Sequence, residues 1–475
     1  MKKFICLALV LLTIFSLASC SCFKQGPLEE KYTYDDLNES YVVLVDYNNY
    51  AVEVHMDALQ ASIDNYLKKN AVEYVAKRGD NIYVDINVYA ETIFTSEDGS
   101  EEKSFKGEKI EALSKANYFV KDLGSSPLPH KIETDIINAE LNISDIITRK
   151  YSYDDLEDYC PEEYAGKNLY FEIKIMNKQI VEGDVVEVAF KGYRIDKEGN
   201  IQKDNKGNKV EPFSEGTDKF FPGSKLAIDD FESNLVNQTM GNEFSFYATF
   251  PDDYQSEDLK GQKVIFYATI KSVYTAPIYN DAFVKALFPD YETVANFEES
   301  LKQDYIRSEM FNYVLDESEI LKYPKAEYNE HKNNIEASEA SFYEAYGFTF
   351  DEYIKNAYNL TRDEYIKAQM KTEMVYYAIA KNENLEPTEA MLINERTELI
   401  SYYKELYMTE NKLSASEALQ AAEEMVGSIS DVYIYENVLF DLVGDYLYTA
   451  AKATFIDKTY VSISEKLANK SSETK

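Results

Sequence analysis

The sequence predicts an α+β protein in which two small antiparallel-sheet domains in series precede an all-α domain. Three observations predict it. Across 182–274, Val186, Val188 and Phe190, then Phe244, Phe246, Ala248 and Phe250, then Val264, Phe266, Ala268 and Ile270 alternate with polar or small residues. That is the period of half-buried strands, while Phe231, Leu235 and Val236 between them fall at helical spacing. The landmarks of this stretch recur earlier, across 77–177, as an internal repeat. From 276 onward Gly and Pro become sparse, and helical periods of Tyr, Leu, Ile and Met take over.

The chain has 475 residues, too many for a single core. Its 49 basic and 85 acidic residues give a net charge of −36, which argues against nucleic acid as a partner. Trp is absent, but 41 Tyr and 25 Phe supply ample apolar area to bury, so general disorder is not expected.

Lys2 and Lys3 followed by an apolar run from Phe4 to Leu17 form a targeting segment, expected at 1–19. Leu17-Ala18-Ser19-Cys20 resembles a bacterial lipobox. The resemblance implies that Cys20 is lipidated and that the chain is anchored on the extracytoplasmic face of a bacterial cell membrane. An ordinary signal peptide with an incidental Cys is the alternative. The apolar run is short for a membrane span. Residues 20–41, polar and acidic with Gly26-Pro27, read as a flexible tether. Cys22 and Cys160 do not make a disulfide scaffold in so large a chain.

Residues 42–76 read as a strand and helix lead-in, with Leu59, Ile63, Tyr66 and Leu67 on one face of a helix over 57–69. The repeat then begins. Arg78-Gly79-Asp80 matches Glu182-Gly183-Asp184, and Leu123-Gly124-Ser125 matches Pro222-Gly223-Ser224. His130-Lys131-Ile132-Glu133 matches Asp229-Asp230-Phe231-Glu232, and Gly166 to Phe171 matches Gly261 to Phe266.

The Gly183-Asp184 opening, the Phe250-Pro251-Asp252-Asp253-Tyr254 turn, Gly261 and the following Val264-Ile265-Phe266 resemble, in that order, the FKBP-type peptidyl-prolyl isomerase domain of trigger factor. By position in that motif, Phe190, Phe213, Ile228, Phe231, Tyr254 and Phe266 match the family's pocket lining. The resemblance implies Phe231 as the floor under a proline ring, a backbone N–H at Ile228 for a substrate carbonyl, and Tyr254 as a hydrogen-bonding partner. An X-Pro bond isomerises over a barrier of about 18–20 kcal/mol because its amide is resonance-stabilised. An apolar site that strips water from the prolyl carbonyl favours the twisted transition state, so no cofactor or metal is expected. Ser214 stands where most members of the family carry an acid, with Glu215 next; the departure bears on catalysis more than on proline binding.

The first copy differs where that chemistry would sit. Ile86 matches Phe190, Val88 matches Gly192 and Ile132 matches Phe231, while a longer loop at 151–161 replaces the Phe-Pro-x-x-Tyr turn. It reads as a structural or binding domain without a pocket; an unrelated small α+β domain is the alternative.

Beyond 276, Thr349 to Glu352, Thr361 to Glu364 and Ser414 to Glu417 are capping boxes. Gly347 and Gly427 suit helix ends, and Pro387 suits a first helical turn. Helices are expected near 293–320, 325–346, 350–358, 362–382, 388–408, 415–426 and 430–455. Tyr279-Asn280-Asp281-Ala282-Phe283-Val284 and 377–388 resemble the helical domain of trigger factor. Nothing matches that family's basic ribosome-docking loop. The dense aromatics at 342–353 are core, or partly a concave surface for unfolded chains; the sequence leaves both open.

His55, His130 and His331 are scattered without ligand spacing, so no zinc site is expected. Asp196 to Asn200 and Asp204 to Asn208 read as tight turns, since they lack the pattern of a calcium loop. No phosphate-binding or nucleophile-elbow motif is present. The expected plan is therefore a signal peptide (1–19), tether (20–41), lead-in (42–76), degenerate FKBP-like domain (77–178), FKBP-type isomerase domain (179–275), helical chaperone domain (276–460) and polar tail (461–475). The expected function is a foldase that binds unfolded exported polypeptides and isomerises their X-Pro bonds. A non-catalytic holdase or partner-binding lipoprotein on an inert scaffold is the alternative.

Overall fold

The computed structural model describes residues 27–29, 34–97, 99, 101–156, 159–254 and 256–473. The expected signal segment 1–19, Cys20 and Cys22 lie outside the described residues. The chain divides into two compact units: Gln60–Phe283 with Lys458–Lys475, and the residues up to Leu59 with Val284–Asp457.

The first of these holds two sheets of the same plan. Helix α1 (Met56–Lys69) leads in, burying Ile63 and Leu67 one turn apart, and β1 (Val72–Glu73) follows. The chain then forms β2 (Ile82–Thr95), β3 (Glu102–Lys109), β4 (Lys115–Val120), α2 (His130–Asn138), β5 (Ile146–Ser152) and β6 (Asn168–Lys178). The strand order is β3-β2-β6-β5, with β4 also pairing β2. All these pairings are antiparallel.

The second sheet repeats that order with β7 (Asp184–Arg194), β8 (Ser214–Phe220), α3 (Asp229–Leu235), β9 (Glu243–Thr249) and β10 (Lys263–Thr275). Its order is β8-β7-β10-β9, and β1 pairs β10. The single strand β8 stands where the first sheet uses β3 and β4. One apolar core runs through both sheets and takes in Ile132 from α2 and Phe231 from α3.

The repeat extends to individual hydrogen bonds. The Asp80 carboxylate accepts from the Lys77 N–H (3.0 Å) and that of Asp184 from the Val181 N–H (2.9 Å). The Gly79 N–H donates to the Leu123 carbonyl (2.8 Å) and the Gly183 N–H to the Pro222 carbonyl (3.1 Å). Between the two aspartates lies Lys178, fully buried at the end of β6, 2.5 Å from Asp184 and 3.9 Å from Asp80.

The second unit is mainly helical. After α4 (Asp281–Leu287) come α5 (Val294–Glu317), α6 (Lys325–Tyr346), α7 (Phe350–Tyr358), α8 (Arg362–Glu383), α9 (Glu389–Thr409), α10 (Ala415–Gly427) and α11 (Asp431–Ala450). The three expected capping boxes form at Thr349, Thr361 and Ser414, each hydroxyl accepting the N–H of the Glu three residues on. Gly347 caps α6 in the left-handed conformation. Helices α5, α8 and α11 bury Met310 and Val314, Met374 and Ile379, and Val438 and Val443 respectively.

Three details differ from the sequence reading. Pro387 precedes the N-cap Thr388 of α9 instead of lying in its first turn. The last helix of this unit ends at Ala450, and Lys452–Ile456 forms a strand parallel to Ala51–His55. Part of the 20–41 segment is ordered: Leu28–Glu29 pairs in parallel with Tyr323–Pro324, while Tyr34 and Leu37 are buried. Besides these two apolar side chains, the Tyr34 N–H donates to Glu327 (3.2 Å) and its hydroxyl to Glu373 (2.6 Å).

Residues 461–475, read as a polar tail, contain α12 (Ile463–Glu473), which belongs to the unit of the two sheets. Its anchoring residues Ser462, Ile463 and Ser464 are buried. Ile463 and Leu467 are the only large apolar residues of this helix, a single i, i+4 pair too short to stand out as a helical period. Among the described residues no helix is long and apolar enough to cross a membrane.

Candidate functional site

The second sheet and α3 line an open cavity of about 870 Å³, within the size range of small-molecule sites. All six residues singled out by position in the sequence line it: Phe190, Phe213, Ile228, Phe231, Tyr254 and Phe266. Phe190 and Gly192 lie two apart on β7 and so share a face. Phe266 sits directly opposite Gly192 in the β7–β10 ladder. Phe213 is fixed just before β8 by its N–H, which donates to the Gly192 carbonyl (2.9 Å). A Cβ on residue 192 would come within 2.6 Å of the Phe266 ring and 2.8 Å of the Phe213 ring. Only glycine lets the two rings close over the strand.

Phe231, on the first turn of α3, is 3% exposed and forms the base of the cavity. Its ring lies 4.4 Å from Phe220, 4.9 Å from Phe266, 5.3 Å from Phe246 and 5.7 Å from Phe190, centroid to centroid. The last three are edge-to-face, the arrangement aromatic quadrupoles favour. Phe250 and Tyr254 close one side, 4.6 Å apart, in a turn where the Tyr254 N–H donates to the Pro251 carbonyl.

The polar groups are few. Ile228 is the N-cap of α3, with extended backbone, and among the described residues its N–H meets no acceptor. The Tyr254 hydroxyl likewise has no protein partner among them. Ser214 lines the cavity, but Glu215 does not; its carboxylate is 3.0 Å from Lys191 on the neighbouring strand, with both side chains more than half exposed. Across the rim, Asp230 accepts the Thr249 N–H at 2.8 Å.

One residue that the sequence reading passed over organises the cavity wall. Glu232 is 3% exposed. It accepts from the N–H groups of Gly223 (3.0 Å), Lys225 (3.0 Å) and Ala227 (2.9 Å) and from the Ser224 hydroxyl (3.1 Å). Burial pushes its pKa up, opposed by those hydrogen bonds. The first sheet repeats the device: Glu133 accepts from Gly124 and Ser126, both at 2.9 Å. The signal available in the sequence was a Glu at the same offset from the matched Gly in both copies.

The first sheet carries bulkier, buried side chains at the positions matching Gly192 and Ala248. Val88, opposite Phe171 as Gly192 is opposite Phe266, puts a branched side chain where Phe213 would lie. Tyr151, opposite Leu169, stands where the second sheet has Ala248 opposite Val264. Its ring is buried 5.4 Å from Phe171, and its hydroxyl donates to Asp135 (2.8 Å). Ile132 replaces the floor aromatic and is fully buried.

Among the described residues no group of three or more His, Cys, Asp or Glu is placed to hold a metal ion. No family model matches the chain. A trigger factor of Streptococcus pneumoniae (strain Taiwan19F-14) is 26% identical over 301 residues, covering 59% of this chain and 67% of that protein. A trigger factor of Mycoplasma mobile is 31% identical over 185 residues, covering 34% of this chain and 38% of that protein. A solved trigger factor chaperone, described under substrate recognition in folding and assembly, aligns at 16% identity and a TM-score of 0.22 over 57% of this chain and 62% of that one. The chain thus spans about two thirds of the streptococcal relative and well under half of the mycoplasmal one, and it is similar to trigger factor in sequence.

Proposed function

We propose that the protein is a trigger-factor-like foldase: it binds unfolded polypeptides and catalyses cis/trans isomerisation of their X-Pro bonds in the cavity of the second sheet. The first sheet is a pocketless FKBP-like copy, the second an FKBP-type isomerase domain, and the helical unit gathers clients. The observation that carries this reading is the convergence of Phe190, Phe213, Phe231, Tyr254 and Phe266 on one apolar cavity beside the Ile228 N–H. A proline ring set on Phe231 leaves its amide among aromatic faces and out of water. The Ile228 N–H and the Tyr254 hydroxyl are then the groups that orient the substrate's carbonyls. Titration with a prolyl peptide tests the pocket. Saturable binding by the protein, lost in Phe231→Ala, is expected; absence of any binding by the unaltered chain contradicts it.

The sequence at Leu17-Ala18-Ser19-Cys20 supports an extracytoplasmic, lipid-anchored placement, with exported polypeptides as clients. Metabolic labelling with a radioactive fatty acid checks it: incorporation is expected and is abolished by Cys20→Ala. Label retained by that variant, or absent from the unaltered protein, counts against the anchor.

A second reading, a holdase on an inert FKBP-like scaffold, is favoured by Ser214 and by Glu215 being engaged with Lys191. It predicts client binding without acceleration of prolyl isomerisation.

A further inference from the structure

The wall of the cavity between Phe221 and α3 is a short loop whose Lys225, Leu226, Ala227 and Ile228 face the site. Glu232 holds this loop from inside. Tyr460, Ile463, Lys466 and Leu467 lie on its outer side. The Tyr460 hydroxyl donates to the Ser224 carbonyl (3.5 Å), and the Lys225 ammonium lies 4.6 Å from the Tyr460 ring centroid. Ile463, 1% exposed, packs on Gly223, where an added Cβ would lie 3.3 Å from its Cδ1. One turn further, Lys466 pairs with Glu182 at 2.7 Å, and Leu467 packs over Gly183, whose φ of +93° and 2.8 Å clearance leave no room for a side chain.

We infer that residues 458–473 are a brace that positions the 223–228 loop and thereby sets how tightly the cavity holds a prolyl peptide. The inference rests on the isomerase reading of that cavity. Three features support it. Lys225 has a φ of +63°, a left-handed conformation that is strained for a non-glycine residue and persists only where its surroundings impose it. Glu232 on one side and Tyr460 with Ile463 on the other are those surroundings. Lys225 and Asp229 line both the main cavity and a second one of about 420 Å³ beside Tyr460 and Lys466, so the two spaces share a wall. No aromatic ring of the main cavity comes from residues 458–473, so the brace acts on the loop and not on the floor. Tyr460 is accordingly a positioning residue.

The test compares the full chain with Tyr460→Ala, Tyr460→Phe and Ile463→Asp, reading amide hydrogen exchange and isomerisation of a prolyl peptide. In Tyr460→Ala and Ile463→Asp the Gly223, Lys225 and Ala227 amides are expected to exchange faster by about fivefold or more, while β7 and β10 keep their protection. KM is expected to rise about threefold or more with kcat within about twofold, since the floor is untouched. Tyr460→Phe, which keeps the ring under Lys225, behaves like the unaltered chain. Unchanged loop exchange and KM in Ile463→Asp, with the amides of α12 exchanging freely, overturns the brace. So does loss of protection throughout β7 and β10, which would make the segment general support for the fold. A full chain that isomerises nothing overturns the isomerase reading instead, and the exchange comparison still decides whether the brace exists.

Discussion

Gly192 and Val88 occupy one register in two copies of one sheet, and the difference between them is the difference between a cavity and a filled core. The missing side chain at Gly192 is space that the Phe213 and Phe266 rings occupy, and those rings are the walls of the site. In the first sheet Val88 and Tyr151 are buried at the matched positions, 0% and 1% exposed, so their apolar area contributes to stability. A second residue-scale effect concerns Asp64 on α1, which is fully buried. One carboxylate oxygen accepts from the Gln60 amide at 2.9 Å; the other has no partner among the described residues. Burial raises its pKa from 3.8 to about 7, with Glu232 and Glu465 adding to the shift and Gln60 and Lys458 opposing it. The folded state therefore holds a proton that the unfolded chain has lost between about pH 4 and pH 7, and stability falls as pH rises through that window. Asp64→Asn removes the term. Its urea midpoint is expected to exceed that of the unaltered protein at pH 8, by a free energy on the order of 1–4 kcal/mol, with the gap closing toward pH 4. A variant less stable at pH 8 than the unaltered chain contradicts this.

The elements were legible to different depths. Strands β7, β9 and β10 announced themselves because one face is buried and the other wet, so hydropathy alternates along them. Helices α7, α8 and α10 were readable from their capping boxes, a local signal that needs no tertiary knowledge. The pocket residues were readable only as positions in a family pattern; that Glu215 turns to Lys191 was not. Nor was the role of Tyr151, since its volume matters only once its register opposite Leu169 is known. Lys178 is the clearest case of a hidden element-scale contact. A lone lysine in a strand reads as surface, yet this one is buried between the aspartates that open the two sheets. Removing one partner of such a buried set leaves uncompensated charge, at a cost of about 3–5 kcal/mol. Lys178→Met is therefore expected to destabilise the sheet unit against urea at pH 7 by that order. An unchanged midpoint at pH 7 would show that the lysine does not hold the two sheets.

At the scale of the whole chain, the sequence carries two kinds of surface. The net charge of −36 favours mutual repulsion between copies and argues against binding a phosphate backbone. Against that background Tyr343, Tyr346 and Phe348, at the end of α6 and just beyond it, stay exposed at 56%, 63% and 39%, the kind of apolar surface a client-gathering unit uses. Whether such a unit feeds an active pocket is decided most directly by a refolding substrate limited by prolyl isomerisation, using the protein from Cys22 onward with Phe231→Ala and Phe190→Ala as controls. An isomerase accelerates the slow refolding phase, and both substitutions abolish the acceleration. A slow phase left at its uncatalysed rate by the unaltered protein, while aggregation of the unfolded client is still suppressed, would contradict the isomerase and identify a holdase.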